Sequence, residues 1–193
     1  MREAILRKAK ESAETKLRFF DENAELLEKC ARDAAARFQS GGRLFVMGNG
    51  GSACDAQHMA VEFQHPIVEK RKALPAMALT ADSATLTAIG NDSDFSRVFV
   101  EQLEIIGRSG DMAIGISTSG ASTNVHRALK RARELGLLTI GFSGRDGGRM
   151  SEVCDYSFVV KSWSIHRIQE THTLLLHLFW DLVQMASGED DVL

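Results

Sequence analysis

The sequence predicts an α/β protein: a parallel sheet with helices packed on both faces. Two observations carry that prediction. From residue 43 onward, short apolar runs alternate with stretches of helical periodicity. In addition, "LFVMGNGGSACDAQHMAVE" and "AIGISTSGASTNVHRALK" both read as strand, glycine–serine turn, helix, with a weaker third copy in "TIGFSGRDGGRM". Strands separated by helical crossovers pair in parallel, and a parallel sheet is covered on both sides.

Residues 2–38 are predicted as two helices. Leu6, Ala9, Ala13, Leu17 and Phe20 recur at steps of three and four, and so do Ala24, Leu27, Ala31, Ala34 and Phe38 after a break at 21–23. The glycines of "SGGR" stop the second helix. Strands are expected at 43–47, 75–79, 111–116, 137–142 and 156–160. Helices are expected near 52–64, 83–90, 95–107, 121–135 and 147–153, with a long final helix over 164–186. Pro66 and Pro75 fall in or beside loops. The chain reads as a single domain over 1–193: helices for packing or oligomerisation in 1–40, an α/β core in 41–187, and a frayed tail in 188–193.

Composition narrows the function classes. With 44% hydrophobic and 25% charged residues the profile is that of a soluble globular chain. A net charge of −3 gives no electrostatic case for nucleic acid. No run approaches the ~18 apolar residues of a membrane span, and "MREAILRKAKESAE" is too charged for a signal peptide. Cys30, Cys54 and Cys154 are odd in number and far apart, which predicts reduced thiols and a cytoplasmic protein.

The turns after the first and third strands are the chemically loaded positions, because ligands of open α/β sheets bind at the carboxyl ends of strands. "GISTSGAST" offers Ser117, Thr118, Ser119, Ser122 and Thr123 at the start of a helix. Free N–H groups and the helix dipole favour an anion there, and hydroxyls add neutral donors. Helix capping needs one such hydroxyl; five point to a phosphate. "GNGGSA" formally matches a dinucleotide fingerprint through Gly48, Gly50 and Ala53, but the acidic residue expected about 20 positions later is not evident, and no lysine makes it a Walker loop.

His58 and Glu62 are four residues apart and share a helical face. Further on, "HRIQETHTLLLHLFW" carries Gln169, Glu170, His172 and His177. A histidine amid leucines, as His177 is, is commonly a satisfied core residue; alternatively, His, Glu, Gln and His could hold a divalent ion such as zinc. Geometry resists a single ion bound by both Gln169 and His177, which are separated by about 12 Å of helix rise. A kink, or ligands from different subunits, would be required.

Taken together, "GNGGSACDAQH", Glu62, "IGND", "GISTSGAS", "GRDGGRM" and "RIQETH" resemble the sugar isomerase (SIS) domain family, and more narrowly its phosphoheptose isomerases, over nearly the whole chain. The resemblance implies a flavodoxin-like three-layer α/β/α sandwich with a five-stranded parallel sheet, assembled as a homotetramer with active sites at subunit contacts. It implies substrate contacts from Asn49, Gly50, Gly51, Ser52, Glu62, Asn91, Asp92 and Gln169, and a phosphate site from Ser117, Thr118, Ser119 and Ser122. One zinc ion per site would be held by His58, Glu62, Gln169 and His177, with Glu62 and His177 as the acid–base pair. The implied activity is conversion of sedoheptulose 7-phosphate to D-glycero-D-manno-heptose 7-phosphate through an enediol. The segment 63–76, "FQHPIVEKRKALPA", departs from the glycine–arginine pattern usual there and displaces Arg71, which leaves another sugar phosphate open. A non-catalytic relative that binds the bacterial replication initiator is the alternative class, and a dinucleotide enzyme a third.

Overall fold

The computed structural model describes residues 1–67 and 71–191. Its centre is a five-stranded, all-parallel sheet in the order β2-β1-β3-β4-β5. The strands are β1 (Leu44–Gly48), β2 (Ala76–Ala78), β3 (Met112–Ser117), β4 (Leu138–Gly144) and β5 (Tyr156–Val160). The helices are α1 (Arg2–Gln39), α2 (Gly51–Gln64), α3 (Ser83–Asp92), α4 (Val100–Ile106), α5 (Thr123–Glu134) and α6 (Ile165–Ala186). Alternate strand residues feed two cores. Val46, Ile114, Ile140 and Phe158 pack beneath α1, α2 and α6, while Phe45, Met47 and Ala113 pack against α4 and α5. The three-layer sandwich is therefore the one expected.

The N-terminal helix pair is corrected to one helix. α1 runs unbroken for 38 residues, about 57 Å at 1.5 Å per residue. Asp21 and Asn23 have low helix propensity, but the run 21–23 holds no proline or glycine, and propensity differences there are only tenths of a kcal/mol. Asn23 donates its side-chain amide to the carbonyl of Phe19 at 2.7 Å, which fits inside a helix. Beyond it Leu27, Cys30, Ala31, Ala34 and Phe38 are buried. Residues 2–14 bury nothing.

Two further expectations change locally. The helix expected at 95–107 is a 3-10 turn, Phe95–Arg97, followed by α4. Asp94 accepts from the amide of Ser96 at 2.6 Å and starts a separate turn there. The helix expected at 147–153 is a short 3-10 turn, Gly148–Glu152, entered through left-handed Gly147. The tail is tied down as far as Asp190: Glu189 N donates to Gln184 O at 3.1 Å, and Arg71 Nη2 to Asp190 O at 2.9 Å. Residues 192 and 193 lie outside the described residues. Among the described residues no helix is long and apolar enough to cross a membrane. Cys30, Cys54 and Cys154 are unpaired.

Candidate active site

β1 leads into α2 on one face of the sheet, and β3 leads into α5 on the other. Their N-termini flank the switch point between β1 and β3, where open α/β sheets bind ligands. At the first, Gly50 caps α2 with φ +57°, a backbone region that favours glycine. A Cβ at Gly51 would meet the side-chain amide of Gln169, which would have to swing aside. The glycines thus bring the α2 N-terminus flush against the first turns of α6.

The crevice is held by a pair that the sequence did not disclose. Asn49 and Asn124 exchange side-chain amide hydrogen bonds in both directions, each at 2.9 Å. Asn124 is 3% exposed and also accepts from Val125 N at 2.9 Å. Asn49, expected to face substrate, spends its amide on joining the two loops. The sole sequence hint was that both asparagines sit within the echoed strand–turn–helix units.

The hydroxyls of the second loop converge. Ser117 Oγ lies 2.8 Å from Ser122 Oγ and 3.5 Å from Ser119 Oγ, and Ser119 Oγ accepts from Ala121 N at 3.2 Å. Ser122 is the N-cap of α5 but makes no side-chain cap bond. The reading of these serines as ordinary capping is not what the structure adopts. The donors instead cluster at an uncapped helix N-terminus, an arrangement suited to an oxyanion.

Along the seam between α2 and α6, Gly51 faces Gln169 and His58 faces His177, so the two helices run side by side in the same direction. His58 Nε2 lies 3.1 Å from His177 Nε2 and 3.2 Å from Glu62 Oε1. All three ligating atoms fall within 4.8 Å of one another, and all three residues are partly exposed. Two imidazole nitrogens and a carboxylate oxygen from one chain form a donor set that fits zinc. Gln169 stands two turns back, at the glycine loop, as the helix-rise argument requires. Asp55, on the same face of α2, is raised to about 6, mainly by burial; His58 and Thr173 pull the other way.

Of the two histidines in the middle of this helix, the one set among leucines in sequence is not the core residue. His172 is the core residue: it is fully buried, its Nε2 meets Ser143 O at 3.0 Å, and burial lowers it to about 4. His177 belongs to the cluster. Glu170 holds α6 to α1, accepting from Ser12 Oγ at 2.6 Å.

Asn91 and Asp92 end α3, a helix without a buried residue, and are exposed; Asn91 Nδ2 donates to Asp92 at 2.7 Å. Packing within this chain does not bring them to the seam. Arg71, displaced from the glycine–arginine pattern, is 8% exposed. It pairs with Asp181 at 2.5 Å and lies 4.8 Å from the centre of the Trp180 ring. Its guanidinium is committed to α6 and to the carbonyl of Asp190 beyond it. Residues 68–70 of that segment lie outside the described residues.

Residues 9–144 match the family model described as SIS domain. The chain is 49% identical over 174 residues to the phosphoheptose isomerase of Desulfovibrio desulfuricans, covering 90% of this chain and 83% of that one. It is 46% identical to that of Aliarcobacter butzleri, covering 95% and 97%. This chain belongs to the phosphoheptose isomerases of the SIS-domain family. The solved structure of phosphoheptose isomerase from Neisseria gonorrhoeae superposes with a TM-score of 0.89 at 37% identity, covering 95% of this chain and 98% of that one. The match to these phosphoheptose isomerases includes the long first helix, so the single α1 fits the family as well as the sheet does.

Proposed function

We propose that this protein interconverts sedoheptulose 7-phosphate and D-glycero-D-manno-heptose 7-phosphate, supplying heptose for envelope polysaccharide. The observation that carries the reading is the joint presence of two elements in a chain with such relatives. One is the hydroxyl cluster at the uncapped α5 N-terminus. The other is the His58–Glu62–His177 cluster in the α2–α6 seam.

The sugar phosphate sits on Ser117, Thr118, Ser119 and Ser122, with the α5 N-terminus favouring its charge. Gly50, Gly51, Ser52 and Gln169 line the path of the sugar, and the Asn49–Asn124 bridge sets the width of that path. An aldose–ketose isomerisation moves one proton between neighbouring carbons and one between their oxygens through a cis-enediol. The Glu62 carboxylate takes and returns the carbon-bound proton, and His177 serves the oxygens. Each positioned group contributes roughly 10²–10⁴ in rate. His58, Glu62 and His177 would hold one zinc ion, which when bound would polarise the substrate carbonyl as a Lewis acid, Glu62 and His177 acting on protons only while released from it. A fourth ligand from Gln169 would come from a second copy of the chain, as would Asn91 and Asp92, in a homotetramer whose sites lie at subunit contacts. The protein works in the cytoplasm, where its three unpaired thiols stay reduced.

The test is incubation with a panel of C5–C7 ketose phosphates, read by NMR. Aldose should form from sedoheptulose 7-phosphate. Turnover of a shorter ketose phosphate alone would reassign the sugar, and no turnover of any would overturn the isomerase reading.

A further inference from the structure

We propose that Arg71 is a positioning residue for the Glu62–His177 pair, pinning the second half of α6 to the end of α2. The inference rests on the roles given above to Glu62 and His177.

Those two groups stand on different helices, so their separation depends on how α6 lies along α2. The start of α6 is anchored by other means. Ile168 fills the space that a Cβ on Gly144 would need, and Glu170 accepts from Ser12 of α1. Further along, the two helices share an apolar contact, Phe63 against Phe179, with ring centroids 6.1 Å apart. Apolar contact is non-directional and tolerates sliding. Fixing the second half of α6 needs directional bonds, and residues 71–74 supply them.

Leu74 N donates to the carbonyl of Phe63 at 2.8 Å, beside Glu62 on the last turn of α2. Gln184, 1% exposed, donates its side-chain amide to the carbonyl of Lys72 at 3.0 Å. Arg71 Nη1 lies 2.5 Å from Oδ1 of Asp181, one turn beyond His177. The segment is therefore a strap, fastened to α2 beside Glu62 and to α6 just past His177. Both charges of the ion pair are buried. The guanidinium also lies over the Trp180 ring, and Nη2 donates to the carbonyl of Asp190 at 2.9 Å. Arg71 Nε is shielded and has no acceptor among the described residues. A shift of α6 that drew Asp181 away would strand two buried charges, which is costly. Exchanging a whole buried pair for apolar groups is often neutral. The pair is thus a weak source of stability and a strong constraint on the placement of α6.

The experiment compares the full chain with Arg71→Met/Asp181→Leu, which removes both charges and keeps an apolar contact. Urea unfolding should show parental stability. With sedoheptulose 7-phosphate, kcat per folded chain should fall at least ~10-fold, toward the ~10²-fold that an ångström of misplacement can bring. KM should hold, because the phosphate loop and the first turns of α6 are untouched. In ¹⁵N-histidine NMR the His58 and His177 signals should move, while His172, held by the Ser143 carbonyl on β4, should keep its own. Parental kcat, or unmoved His58 and His177 signals, overturns the role of Arg71 and leaves the isomerase reading standing. Movement of all three histidines, or a KM that rises as kcat falls, marks a general loosening and overturns it too. Absence of turnover in the parent overturns the isomerase reading instead, and the histidine signals still decide whether Arg71 pins α6. If the double variant does not fold, Arg71→Lys decides. It keeps the charge and loses the planar fork, and parental kcat with unmoved signals there overturns the proposal.

Discussion

His58 and His177 lie 119 residues apart in sequence, yet their Nε2 atoms meet at 3.1 Å and their rings sit edge to face. Glu62, one turn beyond His58, completes the contact. On the proposed roles, Glu62 and His177 act as one proton-transfer unit and should fail together. Glu62→Gln and His177→Gln should each stay folded and lose at least ~10²-fold in turnover. The double variant should lose far less than the product of the two. Near-native turnover per folded chain in either single variant would remove that residue from the chemistry.

The hydroxyl cluster predicts a different pattern. Ser119→Ala and Ser122→Ala each delete a donor without opening a core cavity, so the fold should persist. Binding of the phosphate ester should weaken by about 0.5–1.5 kcal/mol per hydroxyl. The check is a titration with a non-reacting sugar phosphate; unchanged affinity in both variants places the phosphate elsewhere.

Asn124→Ala removes both bonds to Asn49 and leaves the Asn49 amide without its buried partner. The expected cost is about 1–3 kcal/mol in urea unfolding, with a raised KM because the two loops lose their fixed spacing. Unchanged KM in a destabilised variant would reduce the pair to a purely structural tie.

The proposed homotetramer has surface left open on one chain to use. In the first half of α1, Ile5, Leu6 and Leu17 are 65%, 57% and 72% exposed. Between α1 and α6 an apolar groove of about 490 Å³ is lined by Phe20, Ala24, Leu27, Leu178 and Leu182. Exposure on that scale marks an interaction surface. Light scattering should give a tetramer at micromolar concentration; a fully active monomer would contradict it.

The sheet was legible because each buried strand is a short apolar run between turn residues, and the hydroxyl loop because five donors exceed what a cap requires. The break in α1 was misread from Asp21 and Asn23, two residues of weak propensity that packing beyond them overrides. The placement of the two histidines has a clearer cause. His172 shares its helical face with Ile168, Leu175, Leu176 and Phe179, all buried, whereas His177 continues the face of Gln169 and Thr173. Neighbours in sequence suggested a core His177; position on the helix assigns that place to His172. Asn124 was illegible because a single buried amide acquires meaning only from its partner 75 residues away.

His172 gives the pH prediction. Its ring is fully buried, and desolvation of the charged form lowers its pKa to about 4, against an opposing bond to Ser143 O. In the unfolded chain the same ring titrates near 6.5. The native state therefore binds fewer protons than the unfolded state throughout the interval between those values. Stability from this group is complete above pH ~6.5 and declines as the pH falls toward 4. Two and a half units at 1.36 kcal/mol each set a ceiling of about 3 kcal/mol, most of which is gone by pH 4.5. His172→Gln keeps a donor for the Ser143 carbonyl and cannot titrate. Its unfolding free energy in urea should fall less steeply than the parent's between pH 7 and 4.5, whatever its absolute stability. The difference in slope isolates His172 from the carboxylates, which titrate alike in both proteins. Parallel curves would mean that the ring accepts a proton without leaving its place against β4.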